Sequence, residues 1–376
     1  MKNRMREILK LKRKWLLLCI PIAIISIILC KNFPFIAEYV YGRVIFRILS
    51  IIIGLFTRWI PISIAEIVIY CIPLLLITII FLFIRKIVKN KGRRGYLTAK
   101  GLLNIGCFLS VALILFVLLC GTNYYRYSFE EYLEFEVTEY DKEDLYNLCV
   151  YLAENVNKAR ENITNEYDDG TMRLSYESTR AFLNKAEELM SEFSREYDSL
   201  EWSTGAAKPV LASRYMSYTK IVGIYIPFTM EANVNVDTVD YNQPSDAMHE
   251  LAHLRGVMRE DEANYISYLA CVTSGEPDFV YSGYMMAYIY ASNKLYDEDY
   301  ELFAEVRSSL SEAVDADLKA NSLYWDQFET PVGETISNVS NQVNDAYLNV
   351  NGQVDGTKSY GMVVDLLIAE YKSRFE

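Results

Sequence analysis

Both histidines of the chain occur in one short motif, His249-Glu250-Leu251-Ala252-His253. Residues four apart share a face of an α-helix, so the two imidazoles can bind one metal ion together. Imidazole nitrogens at this spacing suit Zn²⁺, and Glu250, at the edge of that face, can take a proton from an attacking water. Chance gives this arrangement with a probability on the order of one in a thousand. The motif therefore predicts a zinc site with a general base.

A catalytic zinc site of this kind needs a third protein ligand and one open position. The chain has no third histidine, so the ligand is expected to be a carboxylate or, less favourably, Cys271. Glu260, which opens the next predicted helix (about residues 260–274), is the first candidate, and Glu262 is the reserve. Acidic residues also favour the first turn of a helix for its dipole alone. If Glu260 binds the metal, Asn264 on the same helix face can orient one histidine.

The motif itself is predicted to lie on a helix of about three turns. Pro244 precedes it, Ser245 or Asp246 can cap its N-terminus, and Gly256 can end it. The same helix would anchor Leu251 and Ala252 in the core.

A stretch about twenty residues earlier, 221–228 (IVGIYIPF), is rich in β-branched and aromatic residues and contains a proline near its end. This pattern predicts an edge strand. An edge strand can pair with an extended peptide, so we expect Gly223 and Tyr225 to contact a substrate backbone.

The rest of the second part of the chain has mostly helical periodicity. Asp141 is a candidate N-cap of the first helix. We therefore expect a mainly α fold with a small β-sheet (α+β). The expected helices cover residues 141–161, 178–197, 284–295, 300–318, 334–350 and 359–374, and residues 349–356 are a loop candidate.

Charge divides the chain into two parts. Residues 1–122 contain 18 Lys+Arg and 3 Asp+Glu, a formal charge of +15. Because the whole chain carries −12, residues 123–376 carry −27. Such asymmetry excludes a single uniform soluble domain. It also makes nucleic acid an unsuitable partner for the acidic part, because phosphate binding needs a basic face. We expect a membrane anchor over 1–122 and a globular domain over 123–376.

Three apolar segments, 15–30, 62–84 and 101–121, are near the roughly 20 residues that a membrane-spanning helix requires. Residues 33–60 between the first two contain several arginines, so we expect an interfacial helix there, with a fourth span as the lesser alternative. Seven Lys+Arg lie in residues 2–14 and seven more in 85–100. Basic flanks stay in the cytoplasm, which predicts a multi-pass plasma-membrane protein with a cytoplasmic N-terminus and an extracytoplasmic C-terminal domain. An even number of spans would reverse the side of that domain.

Only Cys149 and Cys271 fall within the acidic part of the chain. They allow one disulfide in an oxidising compartment or two buried thiols, and the sequence leaves both open.

Longer sequence blocks resemble a known family. The motif 249–253 followed by Glu260-x-x-Ala263-Asn264 is similar to gluzincin-like HExxH zinc metallopeptidases, in which the glutamate of Glu-x-x-Ala-Asp/Asn is the third ligand. Together with residues 223–235, 281–288 and 344–361, this region resembles an uncharacterised bacterial membrane-anchored, zincin-like family known as domain of unknown function 3810. The resemblance implies a zincin-like domain that binds Zn²⁺ through Glu260. Asn264 in place of aspartate and the short gap after His253 depart from the gluzincin pattern.

These features together lead us to expect a membrane-anchored zinc metallopeptidase that hydrolyses a peptide or protein substrate, with Tyr284 and Tyr360 as candidates for stabilising the oxyanion. The alternative is a non-catalytic, zinc-containing domain tethered to the bilayer that binds a partner. An intact Glu250 favours the enzyme, because a structural zinc site needs no such carboxylate. Proteolysis inside the bilayer is disfavoured, because charged residues surround the motif.

Overall fold

A computed structural model of the chain describes residues 11–202, 205–351 and 360–375. The described part is mainly helical and contains one three-stranded sheet. The expected mainly α fold with a small β-sheet is therefore confirmed at the level of secondary structure.

The N-terminal part forms helices that are long and apolar enough to cross a membrane. Three of them coincide with the segments predicted to span, and the other occupies the segment predicted to be interfacial. The four helices are α1 (Lys12–Asn32), α2 (Ile36–Thr57), α3 (Ile64–Lys89) and α4 (Arg94–Leu119).

Helix α2 packs one face against the globular part. Phe46 is fully buried there, with its ring centroid 5.9 Å from that of Trp202. Near the start of α2, the buried Glu38 carboxylate accepts a hydrogen bond of 2.8 Å from Arg126 Nε. At the other end, Lys208 Nζ donates to the carbonyl of Thr57 at 2.8 Å. Both ends of α2 are thus tied to the globular part of the chain.

The globular part contains nine longer helices among the described residues. They are α5 (Lys142–Glu161), α6 (Thr179–Phe193), α7 (Gln243–Leu254), α8 (Glu260–Thr273), α9 (Pro277–Glu298), α10 (Tyr300–Ser308), α11 (Glu312–Asp326), α12 (Pro331–Val350) and α13 (Tyr360–Phe375). Shorter helical turns lie at Gly121–Tyr125, Phe129–Tyr132, Ser194–Glu196, Ser213–Met216 and Ser217–Thr219.

Two helical predictions differ from the structure. Helix α9 begins at Pro277, seven residues before the predicted start, because proline suits the first turn of a helix. The helix predicted over 300–318 is two helices, since the Ser311 hydroxyl accepts a hydrogen bond from the Val314 amide and starts α11. Most of the predicted loop 349–356 lies outside the described residues.

The core forms where α5 and α9 pack together. One apolar face of α5 is buried, and Asp141, as predicted, caps that helix, in a reciprocal pair with Asp144. The residues of this face are Leu145, Leu148, Cys149, Leu152 and Val156. Asp317 of α11 is also buried and accepts hydrogen bonds of 2.7 Å from Arg160 Nε and from the Tyr281 hydroxyl. A buried carboxylate with such partners fixes α5, α9 and α11 in register. All seven cysteines are free thiols, so Cys149 and Cys271 are not bonded.

The small sheet has the order β1-β3-β2. Its strands are β1 (Lys208–Pro209), β2 (Gly223–Ile226) and β3 (Glu231–Val234). Strand β2 pairs antiparallel with β3, from Gly223 opposite Val234 to Ile226 opposite Glu231. The predicted edge strand is confirmed and is shorter than predicted, because the chain turns at Pro227. The other edge of β2 has no strand partner among the described residues.

Helix α7 carries the histidine motif and ends as predicted. Gly256 follows it with a φ of 88°, a left-handed conformation that favours glycine, and its amide donates to the His253 carbonyl at 2.9 Å. The predicted cap at Ser245 or Asp246 is wrong. Asn242 holds the N-cap position without a side-chain hydrogen bond, because Ser245 and Asp246 already lie within the first turn.

Candidate metal centre

Helices α7 and α8 bring together the first three predicted ligands. Ligand atoms of His249, His253 and Glu260 lie within 4.8 Å of one another. The two Nε2 atoms lie 3.3 Å (His249) and 3.7 Å (His253) from the two carboxylate oxygens of Glu260. Ligand atoms of a tetrahedral zinc are about 3.3 Å apart, as zinc–ligand distances near 2.0–2.1 Å require. The donor set and its spacing therefore fit zinc.

The other ring nitrogen of each histidine has a hydrogen-bonding partner. His249 Nδ1 lies 2.8 Å from Asn264 Oδ1, and His253 Nδ1 lies 2.6 Å from the Val257 carbonyl. Both partners are acceptors, so each Nδ1 carries a proton, and Nε2, the nitrogen that faces Glu260, is the one that a metal ion would bind after displacing any proton there. Asn264 thus occupies the orienting position that the sequence suggested. The Asn264 amide nitrogen is buried without a partner among the described residues, consistent with an aspartate being able to take its place.

Burial and neighbouring charges shift the pKa values of His253 and Glu260. Burial alone would lower the pKa of His253, but the Glu260 carboxylate reverses this and raises that pKa to about 9. Burial would raise the pKa of Glu260, but the two imidazoles hold it well below its usual range. The anionic Glu260 carboxylate therefore faces a His253 imidazole that favours positive charge, and a bound cation could take the place of that positive charge.

Glu250 lies beside this cluster in a nearly dry position. Its side chain is buried, and burial raises its pKa to about 8. Oε2 has no hydrogen-bond partner within the described parts of the chain. The backbone of Gly223 passes so close that an added Cβ there would lie 2.4 Å from Glu250 Oε1. The predicted base and the predicted substrate strand are therefore direct neighbours.

The cluster remains open to solvent. The side chains of His249 and Glu260 are 17% and 24% exposed. A structural zinc site usually closes all four positions with protein ligands, whereas a catalytic site keeps one open. Here His249 and Glu260 remain partly exposed, whereas His253 is buried.

The alternative ligands are engaged elsewhere. Glu262 accepts hydrogen bonds from the Phe129 amide at 2.9 Å and from Arg259 Nη1 at 2.7 Å, so it holds a loop and does not join the cluster. The structure therefore brings Glu260, and not the reserve ligand Glu262, to the two histidines. Cys271 is buried, with its Cβ 2.6 Å from where a Cβ on Gly283 would lie. It packs α8 against α9, outside the cluster.

The predicted tyrosines have different positions. The Tyr225 ring centroid lies 6.5 Å from that of His253, and its hydroxyl donates to the Leu119 carbonyl at 3.1 Å. The Tyr284 ring centroid instead lies 6.1 Å from that of Tyr268, and the structure does not bring Tyr284 to the three candidate ligands. Tyr360 begins α13, and its side chain lies outside the described residues.

Three further residues near Glu260, namely Cys120, Tyr124 and Tyr347, were not among the predicted site residues. Glu260 acts electrostatically on Cys120 and Tyr124, which follow the last apolar helix. The Tyr347 hydroxyl lies 3.3 Å from that of Tyr124 and 3.1 Å from Cys120 Sγ. Burial raises the pKa of Tyr124, so its hydroxyl stays protonated. No local motif marks these residues, because they come from segments more than 200 residues apart.

Residues 41–368 match a family model described as Protein of unknown function (DUF3810). The chain belongs to this family. No curated protein and no solved structure matches it. The match to DUF3810 extends from within α2 into α13. The histidine motif, Glu260 and strand β2 therefore all lie within the region that defines the family.

Replacing Asn264 tests the orientation of His249. We expect Asn264→Ala to weaken zinc binding by about 10–100-fold, because His249 loses the acceptor that fixes its ring. Asn264→Asp keeps the acceptor and should bind zinc at least as tightly as the wild type. Competition with a chelator on the full-length protein measures the dissociation constant. Asn162→Ala, at an exposed helix end, is the control, and equal affinity of Asn264→Ala and wild type would contradict the arrangement.

The pKa of His253 predicts how zinc binding depends on pH. Below pH 9 the metal-free protein holds a proton on this imidazole, and zinc must displace it. The apparent affinity should therefore rise about tenfold per pH unit up to about pH 9, whereas an ordinary histidine would give a plateau above about pH 7. Chelator competition from pH 6.5 to 9.5 measures this slope, and a flat profile above pH 7 would contradict it.

Proposed function

We propose that the protein is a membrane-anchored, zinc-dependent metallopeptidase with a zincin-like catalytic domain. The observation that carries the proposal is the convergence of His249, His253 and Glu260 beside the buried carboxylate of Glu250, whose Oε2 has no hydrogen-bond partner among the described residues. A zinc ion bound there would polarise the scissile carbonyl and lower the pKa of a water molecule. The site thus combines a metal-binding donor set with a proton acceptor.

Glu250 would move the proton in this reaction. As a carboxylate, it accepts a proton from the attacking water, and as an acid it delivers that proton to the leaving amine. Burial raises the pKa of Glu250 to about 8 in the metal-free site, and a zinc ion bound nearby would lower it toward neutral pH, where a general acid–base group works best. The contact with Gly223 limits where the Glu250 carboxylate can move.

Strand β2 would hold the substrate. Its outer edge has no strand partner in the described chain, and its first residue touches Glu250. A peptide that pairs with this edge in extended form would run past the base and the metal ligands. Backbone pairing of this kind requires no particular side chain at the paired positions.

Hydroxyl groups on the other side of the cluster could stabilise the oxyanion. Tyr124 and Tyr347 are the candidates in place of Tyr284. Their hydroxyls lie 3.3 Å apart, and Tyr124 is near enough to Glu260 for the carboxylate charge to help raise its pKa. A donor of this kind typically contributes about 100–1,000-fold to the rate.

Contacts among the apolar helices support an extracytoplasmic catalytic domain. Helix α1 runs parallel to α4: the Leu16 carbonyl accepts from Ser110 Oγ at 2.9 Å, and Ile27 packs near Gly121. The basic residues 12–14 and 85–94 therefore lie at the same end of these helices, opposite the globular part. Since basic flanks stay in the cytoplasm, the globular part would lie outside.

Helix α2 fits this arrangement as the interfacial segment. It is roughly 30 Å long, yet both of its ends contact the globular part, at Glu38 and at Thr57. A helix that crossed the bilayer would have its ends on opposite sides. Three crossings by α1, α3 and α4 are therefore the proposed topology, with α2 on the outer surface.

Replacing the base tests the peptidase activity. We expect Glu250→Gln to retain one zinc per chain and to lose at least 100-fold in peptide hydrolysis, because general-base catalysis contributes about 10²–10⁴-fold. Zinc analysis and hydrolysis of unfolded casein by the full-length protein in detergent provide the readouts.

Two variants serve as controls for this measurement. His249→Ala should lose both the metal and the activity, whereas Glu188→Gln, an exposed residue on α6, should change neither. If Glu250→Gln binds zinc and cleaves casein at the wild-type rate, the catalytic role of Glu250 is excluded, and a zinc-containing binding domain becomes the better explanation.

Reporter fusions test the topology. An alkaline phosphatase fused after Glu376 should be active, because this enzyme folds only outside the cytoplasm, and a phosphatase inserted at Gly92 should be inactive. A green fluorescent protein at the same two positions should give the opposite pattern. Phosphatase activity at Gly92 together with fluorescence at the C-terminus would reverse the orientation.

A further inference from the structure

The last apolar helix ends directly at the metal centre. Leu119 is the final residue of α4, and its carbonyl accepts a hydrogen bond from Tyr225, whose ring neighbours that of His253. The next residue, Cys120, places its sulfur 3.6 Å from that of Met258, two residues before the ligand Glu260. Only one side chain therefore separates the cluster from the end of a membrane-spanning helix.

The sheet is also fastened to the start of α3. Glu231 of β3 is buried and accepts hydrogen bonds from the amides of Ile64 and Ala65, at 3.1 and 2.7 Å, and it pairs with Lys208. One turn into the helix, Glu66 accepts from the amides of Leu211 and Ala212 at 2.7 and 2.9 Å. Buried charge-assisted contacts of this kind are hard to break, so the height of the site above the membrane is fixed.

Strand β2 runs toward this junction. Gly223 touches Glu250, while Ile226 pairs with Glu231, the residue that contacts the start of α3. An extended chain covers about 3.3 Å per residue, so a peptide paired with β2 would pass from the base to the membrane surface within about three to five residues.

Helix α12 presents an apolar face that leads to the same junction. It carries exposed apolar side chains at helical spacing, and the last of them, Tyr347, packs with its ring centroid 6.2 Å from that of Phe116 in α4. Segments that flank a membrane span are themselves rich in aromatic and apolar residues, which this face would suit. The residues of this apolar face are Val332, Ile336, Val339, Val343 and Tyr347.

We propose that the substrates are membrane-anchored polypeptides, cleaved within about five residues of the bilayer surface, with an apolar segment next to their span resting on the apolar face of α12. This inference depends on the proposed peptidase activity and adds the class of substrate. The fixed height of the site selects bonds by their distance from the membrane.

The test uses full-length protein in phosphatidylcholine vesicles and a library of randomised 20-residue segments. In one form each segment is joined directly to a single apolar span in the same vesicles. In a second form a 20-residue Gly/Ser spacer separates the segment from the span, and in a third the segment is free in solution. Mass spectrometry locates the cut bonds, and Glu250→Gln supplies the background.

We expect directly joined segments to be cut at least tenfold faster than the other two forms, with cut bonds concentrated within five residues of the span. Equal rates in all three forms, or cuts spread evenly along the segment, would overturn the substrate class and leave the peptidase activity standing. No cleavage of any form or of casein would overturn both.

A double variant tests the apolar face of α12. Val339→Ser together with Val343→Ser should lower cleavage of directly joined segments at least fivefold, because both positions are exposed and contribute only to the proposed contact. Zinc content should stay at the wild-type level, which shows that the fold and the metal site are intact. Unchanged cleavage of joined segments, as would follow if this face met lipid instead, would exclude it from substrate binding.

Discussion

The candidate site depends on one constraint: both imidazoles must turn the same nitrogen toward Glu260. Asn264 and the Val257 carbonyl hold the Nδ1 atoms, so the Nε2 atoms have no freedom to turn away. The left-handed turn at Gly256 makes this possible, because it returns the chain so that α8 begins beside the histidine face of α7. Without that turn, the ligand on α8 would lie too far away to complete the donor set.

Much of this site could be predicted from sequence because its main elements are local. The spacing of the two histidines on a helix, the end of that helix at glycine and the partnership of Asn264 with a histidine all follow from helical geometry over a few turns. The choice between Glu260 and Glu262 could not be made in this way, since both open α8. It depends on the Phe129 amide, which engages Glu262 from a segment about 130 residues away.

The positions of the tyrosines also depend on tertiary packing and could not be predicted from local sequence. Tyr284 was a reasonable candidate by residue type, but the way α9 packs on α8 turns it toward Tyr268. Tyr124 and Tyr347 carry no distinguishing local pattern, and only the folded chain brings them together. Composition predicted that residues 33–60 differ from the spans, because arginines interrupt their apolar stretch. The buried contacts of Glu38 show where those charges go.

Phe46 and Leu119 are buried side chains that connect the apolar N-terminal helices to the globular part. Both residues are part of the same hydrophobic core as the helices of the globular part, although they belong to the apolar N-terminal helices. The hydrophobic core of the globular part is therefore complete only when the N-terminal helices are packed against it. Phe46 also packs against Gly256, at the turn between the metal ligands. The turn that places Glu260 beside the two histidines therefore depends in part on a side chain of the apolar N-terminal helices, so the candidate site and these helices form one packing unit.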